Sequence, residues 1–352
     1  MGQWMIYGAG GYTGTLIAEE AVRRGHAPVL AGRPSKRMEA LQSRLGLEEA
    51  VFSLEKEADI ADAVGHVDLV FHAAGPFVDT AGPMVRACLD RGVHYLDITG
   101  ELEVFEQNYS FDAEARKKGV TLLSGAGFSS IATDCLARYQ LDRMPDATVL
   151  ELAVSGMERM SPGTVKTVLN QLPKGTLIRK DGRLMSIPAG SGGKKVRFLN
   201  GERTIIPTTF GDLITAYRST GIPNILTYMA FPAAAAAMMP FTGPVAQIAL
   251  GFGPLRKLLQ KAAGIGVSGP GEKAREAGRS YLWSRVINDH GAEGFAWLET
   301  SEAYRFTAEA AVRAVERILE KNPAGALSPS EALGVDFVLE IPGTRRYDKL
   351  EP

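Results

Sequence analysis

Glycines near the N-terminus have the spacing of a phosphate-binding turn. The short apolar run 4–7 leads into Gly8, Gly10, Gly11 and Gly14, and a helical pattern follows. Glycine permits the tight turn, lets the backbone approach phosphates and lets the helix lie close to the strand. The helix N-terminus offers N–H groups and a partial positive charge to an anion. The predicted pyrophosphate site comprises Gly8, Gly10, Gly11, Tyr12, Thr13 and Gly14; a purely structural glycine-rich corner is the alternative.

A basic cluster ends the second predicted strand, residues 27–33. An NAD site usually places Asp or Glu here to hold the ribose 2′-hydroxyl, whereas this chain has Arg33. A guanidinium can bind a 2′-phosphate through two hydrogen bonds and stack on adenine, which favours NADP(H). The alternative is a solvated basic turn before a helix at 36–45. The residues predicted to hold this end of the cofactor are Gly32, Arg33, Ser35, Lys36 and Arg37.

Three side chains are candidates for proton chemistry beside a nicotinamide. Hydride transfer requires orientation of the ring, exclusion of water and often a proton donor. His72 and Asp97 end predicted strands, and the alternative for each is a structural hydrogen bond in the core. The phenol of Tyr217 can donate a proton while its ring rests in an apolar pocket. A turn directly after His72 is predicted to contact the cofactor through Ala74, Gly75, Pro76 and Phe77.

The elements that would position these residues alternate along the first half of the chain. Strands are predicted at 4–7, 27–33, 50–54, 68–74, 93–98 and 120–124, with later helices at 82–91 and 102–118. Strands separated by helices indicate an α/β fold, a Rossmann-type doubly wound parallel sheet. The carboxyl ends of its strands collect the glycine turn, the basic cluster and the turn at 74–77. Ligands bind along such an edge.

The pattern changes after residue 146. An alternating strand at 148–154 and a helix capped by Ser161 open a second half, and strands and turns between 175 and 207 suggest an antiparallel sheet. Paired strands are predicted at 281–283 and 295–298, and an amphipathic helix at 302–320 should pack back on one of the cores. We expect a Rossmann domain at 1–146 and an α+β substrate and oligomerisation domain with a mixed or antiparallel sheet at 147–352.

The composition of the chain argues against nucleic-acid binding and against a metal site. The 352 residues include 39 basic and 40 acidic side chains, a balance that provides no field to attract nucleic acid. The two cysteines and five histidines show no metal-binding spacing, so no metal site is predicted. The first strand begins within a few residues of the N-terminus, which leaves no room for a signal peptide, and a cytoplasmic location is expected.

A stretch without charges, residues 219–255, separates Arg218 from Arg256. Its five prolines predict helical pieces of under about ten residues, which are shorter than the roughly 20 needed to cross a bilayer. The plain alternatives are buried helices or the contact of a homodimer. The others are an apolar lid over a lipid-like substrate and a peripheral membrane contact, since exposed Met and Phe mark such surfaces.

Together these motifs resemble the saccharopine dehydrogenase-like oxidoreductases, especially the branch of trans-acting enoyl reductases. The residues that carry the resemblance are 8–14, 30–33, 73–77, 94–101, 127–131 and 215–224. It implies a Rossmann domain, a substrate domain with a mixed sheet, and use of NADP(H). The chain lacks an Asp and a Pro of the family pattern at 127–134, where it reads Gly-Phe-Ser-Ser-Ile-Ala-Thr-Asp.

The function expected from these features is that of an NADP(H)-dependent oxidoreductase. It would reduce a C=C, C=O or C=N bond of an apolar, lipid-derived small molecule. An opine-type or saccharopine-type dehydrogenase that forms a secondary amine is the competing enzyme. A catalytically silent NADP-binding sensor is the alternative from another class.

Overall fold

Strands and helices alternate from the N-terminus to residue 143 in the computed structural model, which describes residues 2–156, 160–266 and 269–350. The strands are β1 (Trp4–Tyr7), β2 (Val29–Gly32), β3 (Glu49–Val51), β4 (Leu69–His72), β5 (His94–Asp97) and β6 (Thr121–Leu123). The helices are α1 (Tyr12–Arg23), α2 (Lys36–Leu45), α3 (Glu57–Val64), α4 (Phe77–Arg91), α5 (Leu102–Ser110), α6 (Asp112–Lys118) and α7 (Phe128–Arg143).

The rest of the chain is richer in antiparallel strands. Its strands are β7 (Ala147–Ser155), β8 (Thr176–Lys180), β9 (Arg183–Ile187), β10 (Lys194–Phe198), β11 (Gly201–Pro207), β12 (Asn224–Phe231), β13 (Arg279–Asn288), β14 (Glu293–Ser301), β15 (Gly325–Leu327) and β16 (Arg345–Tyr347). Its helices are α8 (Pro162–Gln171), α9 (Asp212–Thr220), α10 (Ala233–Gly251), α11 (Gly253–Gly266), α12 (Glu272–Ala277), α13 (Ala303–Lys321) and α14 (Pro329–Leu333), with 3₁₀ turns at Leu172–Lys174 and Phe337–Glu340.

The first sheet has seven parallel strands in the order β15-β6-β5-β4-β1-β2-β3. Every residue of β1 and β4 is buried, as expected for strands covered on both faces. The strand order reverses between β1 and β4, and ligands of doubly wound sheets bind outside the carboxyl ends of the strands at this reversal. The predicted Rossmann-type sheet is confirmed.

The second sheet follows the order β10-β11-β12-β7-β13-β14-β16, and β8 and β9 extend it from β12. Its pairings are antiparallel except for β7 with β12, so the predicted mixed sheet is confirmed. Trp283 in β13 lies opposite Trp297 in β14, which pairs the two strands predicted in this region. Ser161 caps α8 as expected, because its Oγ accepts a hydrogen bond from the N–H of Thr164 at 3.3 Å.

The chain divides into two compact units at places other than the predicted boundary at 146/147. The first unit comprises Met1–Ile131 and Tyr304–Gly334, and the second comprises Ala132–Ala303 and Val335–Pro352. The boundary therefore moves to 131/132, and the first unit is discontinuous. The reason is that β15 pairs with β6 and α13 also returns, so residues far along the chain complete the first sheet and its cover.

Several helices differ from their predicted bounds. The helix predicted at 82–91 begins at Phe77, because Pro76 at its N-cap has the extended backbone from which a helix can begin. The helix predicted at 102–118 is interrupted at Phe111, which separates α5 from α6. The short elements α3 and β15 were not predicted, since neither carries a long periodic pattern.

The apolar stretch contains one long helix instead of short pieces. Helix α10 runs for 19 residues through Pro240 and Pro244. Each proline removes one backbone hydrogen bond, but its fixed φ is compatible with a helix, so the chain continues. Helix α10 is long enough and apolar enough to cross a membrane, and only 11% of its apolar segment is buried.

Candidate functional site

The glycine turn brings the end of β1 against the end of β4. Gly8 has φ of +91°, a conformation that strains residues with a Cβ. A Cβ at Gly8 would lie 2.8 Å from the Cβ of Ala74, and one at Gly14 would overlap the carbonyl oxygen of Gly8. Glycines 8 and 14 therefore let the turn, the 74–77 segment and α1 approach as closely as a dinucleotide-binding motif requires.

The N-terminus of α1 differs from those of its neighbours α2 and α4. Its N-cap is Gly11, and no side chain of the N-cap residue bonds to the first turn. In α2 the Oγ of Ser35 accepts a hydrogen bond from the N–H of Met38 at 3.2 Å. In α4 the carboxylate of Glu101 accepts from the N–H groups of Phe77 and Val78 at 3.2 and 2.8 Å. Side chains of the protein thus cap α2 and α4, whereas the N-cap of α1 is a glycine, the residue type that dinucleotide-binding turns place there.

Glu101 lies in segment 94–101, which the sequence places at the ligand-binding edge of the sheet without assigning Glu101 a role. It is 3% exposed and lies just after β5, with its backbone N–H bonded to the Oγ1 of Thr99 at 3.1 Å. A carboxylate at a helix N-terminus is stabilised by the helix dipole. Glu101 therefore fixes the start of α4 and the turn at 74–77 that precedes it. The available signal was its position, four residues after Asp97 at the same edge of the sheet.

The basic cluster follows β2 at the same edge. Arg33, Lys36 and Arg37 are exposed, and Gly32 ends the strand. A Cβ at Gly10 would lie 3.1 Å from the Oγ of Ser35, which places the glycine turn directly against the start of α2. A phosphate on the ribose next to the pyrophosphate would meet these cations. The residues present fit a dinucleotide that carries a 2′-phosphate.

His72 is fully buried at the end of β4. Its Nε2 lies 3.1 Å from the carbonyl oxygen of Ala74 and 3.0 Å from the Oγ1 of Thr80, and its ring stacks on Tyr7 at 5.4 Å. Burial lowers the pKa of the imidazole to about 4, so the ring is neutral at pH 7. This geometry favours the core-residue alternative, in which His72 supports the turn at 74–77, over the proton donor.

Asp97 is also fully buried and joins two loops of the sheet edge. Its Oδ1 accepts hydrogen bonds from the N–H groups of Thr99 and Gly125, both at 2.9 Å, and its Oδ2 accepts from the Oγ of Ser124 at 3.0 Å. Burial raises the pKa of this carboxyl to about 6, while the two N–H donors oppose the rise. Asp97 is therefore placed to position the ends of β5 and β6.

Tyr217 lies in the second unit, on α9, and is 37% exposed. The guanidinium of Arg179 lies 4.0 Å from the centre of its ring. Arg179 is itself held, because its Nε donates to the carbonyl oxygen of Leu213 at 2.7 Å and its NH1 donates to that of Gly182 at 2.6 Å. The Tyr217 ring therefore has a fixed support and an accessible edge. The other predicted site residues, at 8–14, 32–37, 72, 74–77 and 97, all lie in the first unit.

The described part of the chain contains no cluster of side chains that could bind a metal ion. No three His, Cys, Asp or Glu side chains lie close enough to hold a metal ion among residues 2–156, 160–266 and 269–350. Both cysteines, Cys88 and Cys135, are buried and form no disulfide.

The matching protein family is the saccharopine dehydrogenase NADP binding domain, whose model covers residues 4–123. This range contains β1 to β6, the glycine turn, the basic cluster and Glu101. Residues 4–123 of the first unit are therefore similar to the saccharopine dehydrogenase NADP binding domain. The predicted resemblance is confirmed, and so is the predicted cofactor of this domain, NADP(H).

Curated relatives match 40% of the chain. A trans-acting enoyl reductase of Mycobacterium tuberculosis is 31% identical over 147 residues, which cover 40% of this chain and 35% of that protein. A saccharopine dehydrogenase-like oxidoreductase of Rattus norvegicus is 26% identical over 164 residues, which cover 40% of this chain and 38% of that protein. The chain thus spans little more than a third of the length of these relatives.

A solved structure extends the similarity in fold to the second unit. Saccharopine dehydrogenase (L-Glu forming) from Saccharomyces cerevisiae superposes with a TM-score of 0.65 at 9% sequence identity, and the match covers 99% of both chains. At this identity the match defines the fold alone. The NADP-binding domain and the mixed-sheet unit therefore occur together in a saccharopine dehydrogenase architecture.

Proposed function

We propose that the protein is an NADP(H)-dependent oxidoreductase that reduces a C=C bond of an apolar, lipid-derived small molecule. The observation that carries the cofactor part is the glycine turn, where a Cβ at Gly8 or Gly14 would overlap neighbouring atoms, at the same edge of the sheet as the exposed Arg33. The reaction class is supported by the similarity to a trans-acting enoyl reductase, which is 31% identical over 147 residues.

In this proposal the residues of the first unit bind and orient, and the bound dinucleotide supplies hydride. The backbone of 8–14 would hold the pyrophosphate, and Arg33 would hold the 2′-phosphate. Glu101 and His72 would fix the turn at 74–77. Asp97 would act as a positioning residue, because its hydrogen bonds connect the ends of β5 and β6.

We propose Tyr217 as the proton donor. Its ring is supported by Arg179, and its edge is accessible. A phenol can protonate the carbon or heteroatom that becomes negative when hydride is delivered. Tyr217→Phe removes the proton and keeps the ring, so turnover should fall at least tenfold while NADPH affinity stays unchanged, the pattern of an interaction used only in the reaction step. Equal turnover of the variant would remove Tyr217 from the reaction.

A substrate panel tests the reaction class. The full chain would be incubated with NADPH and with α,β-unsaturated, keto and imine-forming substrates that carry long acyl chains, and absorbance of NADPH would be followed. With NADPH deuterated at C4, the product should carry deuterium at the former alkene carbon. Turnover only with an amino acid plus a keto acid would favour the opine-type reaction. Tight NADPH binding with no turnover on any class would favour the sensor.

A further inference from the structure

The outward side of α10 is an apolar stripe, formed by Met238, Phe241, Val245, Ile248 and Phe252. These residues recur every three or four positions, so they lie on one side of the helix. They are between 57% and 80% exposed. Helix α11 continues the surface with Leu258, which is 64% exposed. Soluble monomers rarely expose a contiguous apolar surface of this kind without a partner for it.

The same helices contact the rest of the second unit through two amide side chains. The Nε2 of Gln247 in α10 donates to the carbonyl oxygen of Pro173 at 3.5 Å, and the Nε2 of Gln260 in α11 donates to the Oδ1 of Asn170 at 2.6 Å. Gly243 allows close packing, since a Cβ there would lie 3.0 Å from the carbonyl oxygen of Ala189. Amides of both helices thus face the protein, while large apolar side chains of α10 face outward, which is unusual for a helix of a soluble domain.

The charges on the helices that carry the stripe and on α8 are all positive. Residues 162–174 and 233–266, which form α8, the following 3₁₀ turn, α10 and α11, contain no Asp or Glu. Their cations are Lys166, Lys174, Arg256, Lys257 and Lys261. Lys257 and Lys261 are exposed on α11, one helical turn apart. An apolar stripe beside cations alone has the chemistry of an interfacial helix that binds anionic lipid.

We propose that the hairpin of α10 and α11 docks the protein on the surface of an anionic phospholipid bilayer. The apolar stripe enters the acyl boundary, and Lys257 and Lys261 bind headgroup phosphates. A second copy of the chain fits less well, because a two-fold contact between these helices would bring their cations together, and the helices themselves contain no Asp or Glu to pair with them.

The hairpin lies in the interface and does not span the bilayer. Helix α10 follows β12 and is succeeded by α11, so a crossing by α10 would require α11 to return. Helix α11 has 14 residues and three cations. Its length is about 21 Å at 1.5 Å per residue, which is short of the roughly 30 Å hydrocarbon core. A crossing would also break the contacts of Gln247 and Gly243.

Flotation of the full chain with vesicles tests the proposal. We expect binding to phosphatidylcholine vesicles that contain about a third phosphatidylglycerol, and at least tenfold weaker partitioning into phosphatidylcholine alone. Phe241→Asp with Ile248→Asp should abolish flotation. Val22→Asp, a matched change at an exposed apolar residue of the first unit, should leave it unchanged.

Charge is tested separately. Lys257→Glu with Lys261→Glu should reduce partitioning at least tenfold, whereas Lys117→Glu with Lys321→Glu, an equal charge change in the first unit, should have little effect. High salt should reproduce the effect of the first pair. NADPH affinity, measured for each variant, reports that the fold is intact and does not depend on the proposed reaction.

A tryptophan probe gives a second readout if the aspartate variants fold poorly. Phe241→Trp should be quenched by brominated acyl chains in anionic vesicles, while Val22→Trp should not. The proposal is overturned if the wild-type chain floats with none of these vesicles, or if Phe241→Asp with Ile248→Asp floats as well as wild type. A lipid-free dimer that this double variant converts to monomer would assign the surface to a second copy instead.

Discussion

At the scale of single residues, Arg33 and Glu101 differ in burial although both lie at the same edge of the sheet. Glu101 is buried, and its carboxylate accepts hydrogen bonds from the N–H groups of Phe77 and Val78. Its role is therefore to cap α4. Arg33 is exposed at the end of β2, at the same edge of the sheet as the glycine turn. A buried paired charge is structural, whereas an exposed charge at the ligand edge of a Rossmann sheet is available for the cofactor.

Arg33→Asp should reverse the cofactor preference. Wild type should bind NADPH at least tenfold more tightly than NADH, because a charge-assisted contact to a phosphate contributes roughly 1.5–3 kcal/mol. The variant should bind NADH more tightly, since a carboxylate accepts from the ribose hydroxyl and repels the phosphate. Calorimetric titration of both nucleotides measures this preference. Lys117→Asp controls for net charge, and equal NADPH and NADH affinities in wild type would contradict the assignment.

Asp212 in the second unit links protonation to stability. It is fully buried, its carboxyl bonds to the hydroxyl of Thr133, and burial, aided by the nearby Asp134, raises its pKa to about 8. The folded state thus binds this proton more tightly than the unfolded chain, whose Asp titrates near 3.9. The stabilisation is complete below about pH 4 and is lost as the pH rises toward 8.

Asp212→Asn should remove this pH dependence. Across three pH units the linkage amounts to about 4 kcal/mol, so wild type should lose about that much unfolding free energy relative to the variant between pH 5 and pH 8. Urea unfolding of both proteins at the two pH values measures the difference. The other titrating groups cancel in it. Parallel stability curves would show that Asp212 stays ionised in the folded state.

At the scale of elements, the sequence identifies what depends on local patterns. The glycines at 8–14, the buried strands and the cap at Ser161 carry their structure in adjacent residues, and the predicted Rossmann sheet is confirmed. The continuity of α10 was predicted incorrectly, because proline statistics describe a preference that this helix overrides. Strand β15 could not be predicted, since its partner β6 lies about 200 residues away and only the folded sheet brings them together.

In the candidate site, too, some features follow from the local sequence and others only from contacts between distant residues. The glycine turn and Arg33 follow from motif and position. The capping of α4 by Glu101 and the complete burial of His72 depend on how separate loops meet at the sheet edge, which residue type alone does not determine.

Gly14→Ala tests the fit between the turn and α1. The added Cβ would meet backbone atoms, including the Cα of Ala9 at 2.9 Å, so the turn or the helix must shift. Overpacking of this kind costs about 1–3 kcal/mol, and the displaced turn should bind NADPH at least tenfold more weakly. Gly251→Ala is the matched control, because this helical glycine has open space around it. Unchanged NADPH affinity in Gly14→Ala would separate the turn from cofactor binding.

At the scale of the whole molecule, the first unit is assembled from two distant parts of the chain. Residues 304–334 contribute α13 and β15, and α13 joins the end of α1 through Glu316, which pairs with Arg24 at 2.6 Å. Phe306, Val312, Val315 and Ile318 of α13 are fully buried. At about 1.5–3 kcal/mol each, these four side chains contribute about as much as the net stability of a whole domain.

Residues 1–146, the domain expected from the sequence, should therefore not fold alone, whereas a fusion of 1–131 to 304–334 should. The junction is short, because the N–H of Phe128 donates to the Oγ1 of Thr307 at 3.1 Å and the two segments already meet there. A flexible linker of about six residues reaches across such a junction.

We expect the fusion to unfold cooperatively and to bind NADPH within about threefold of the full chain, a difference of less than 1 kcal/mol. Circular dichroism and calorimetry compare it with 1–146 and with a fusion that carries Phe306→Asp and Ile318→Asp. If 1–146 alone bound NADPH as tightly as the fusion, the returning segment would be a cover on a domain that is already complete.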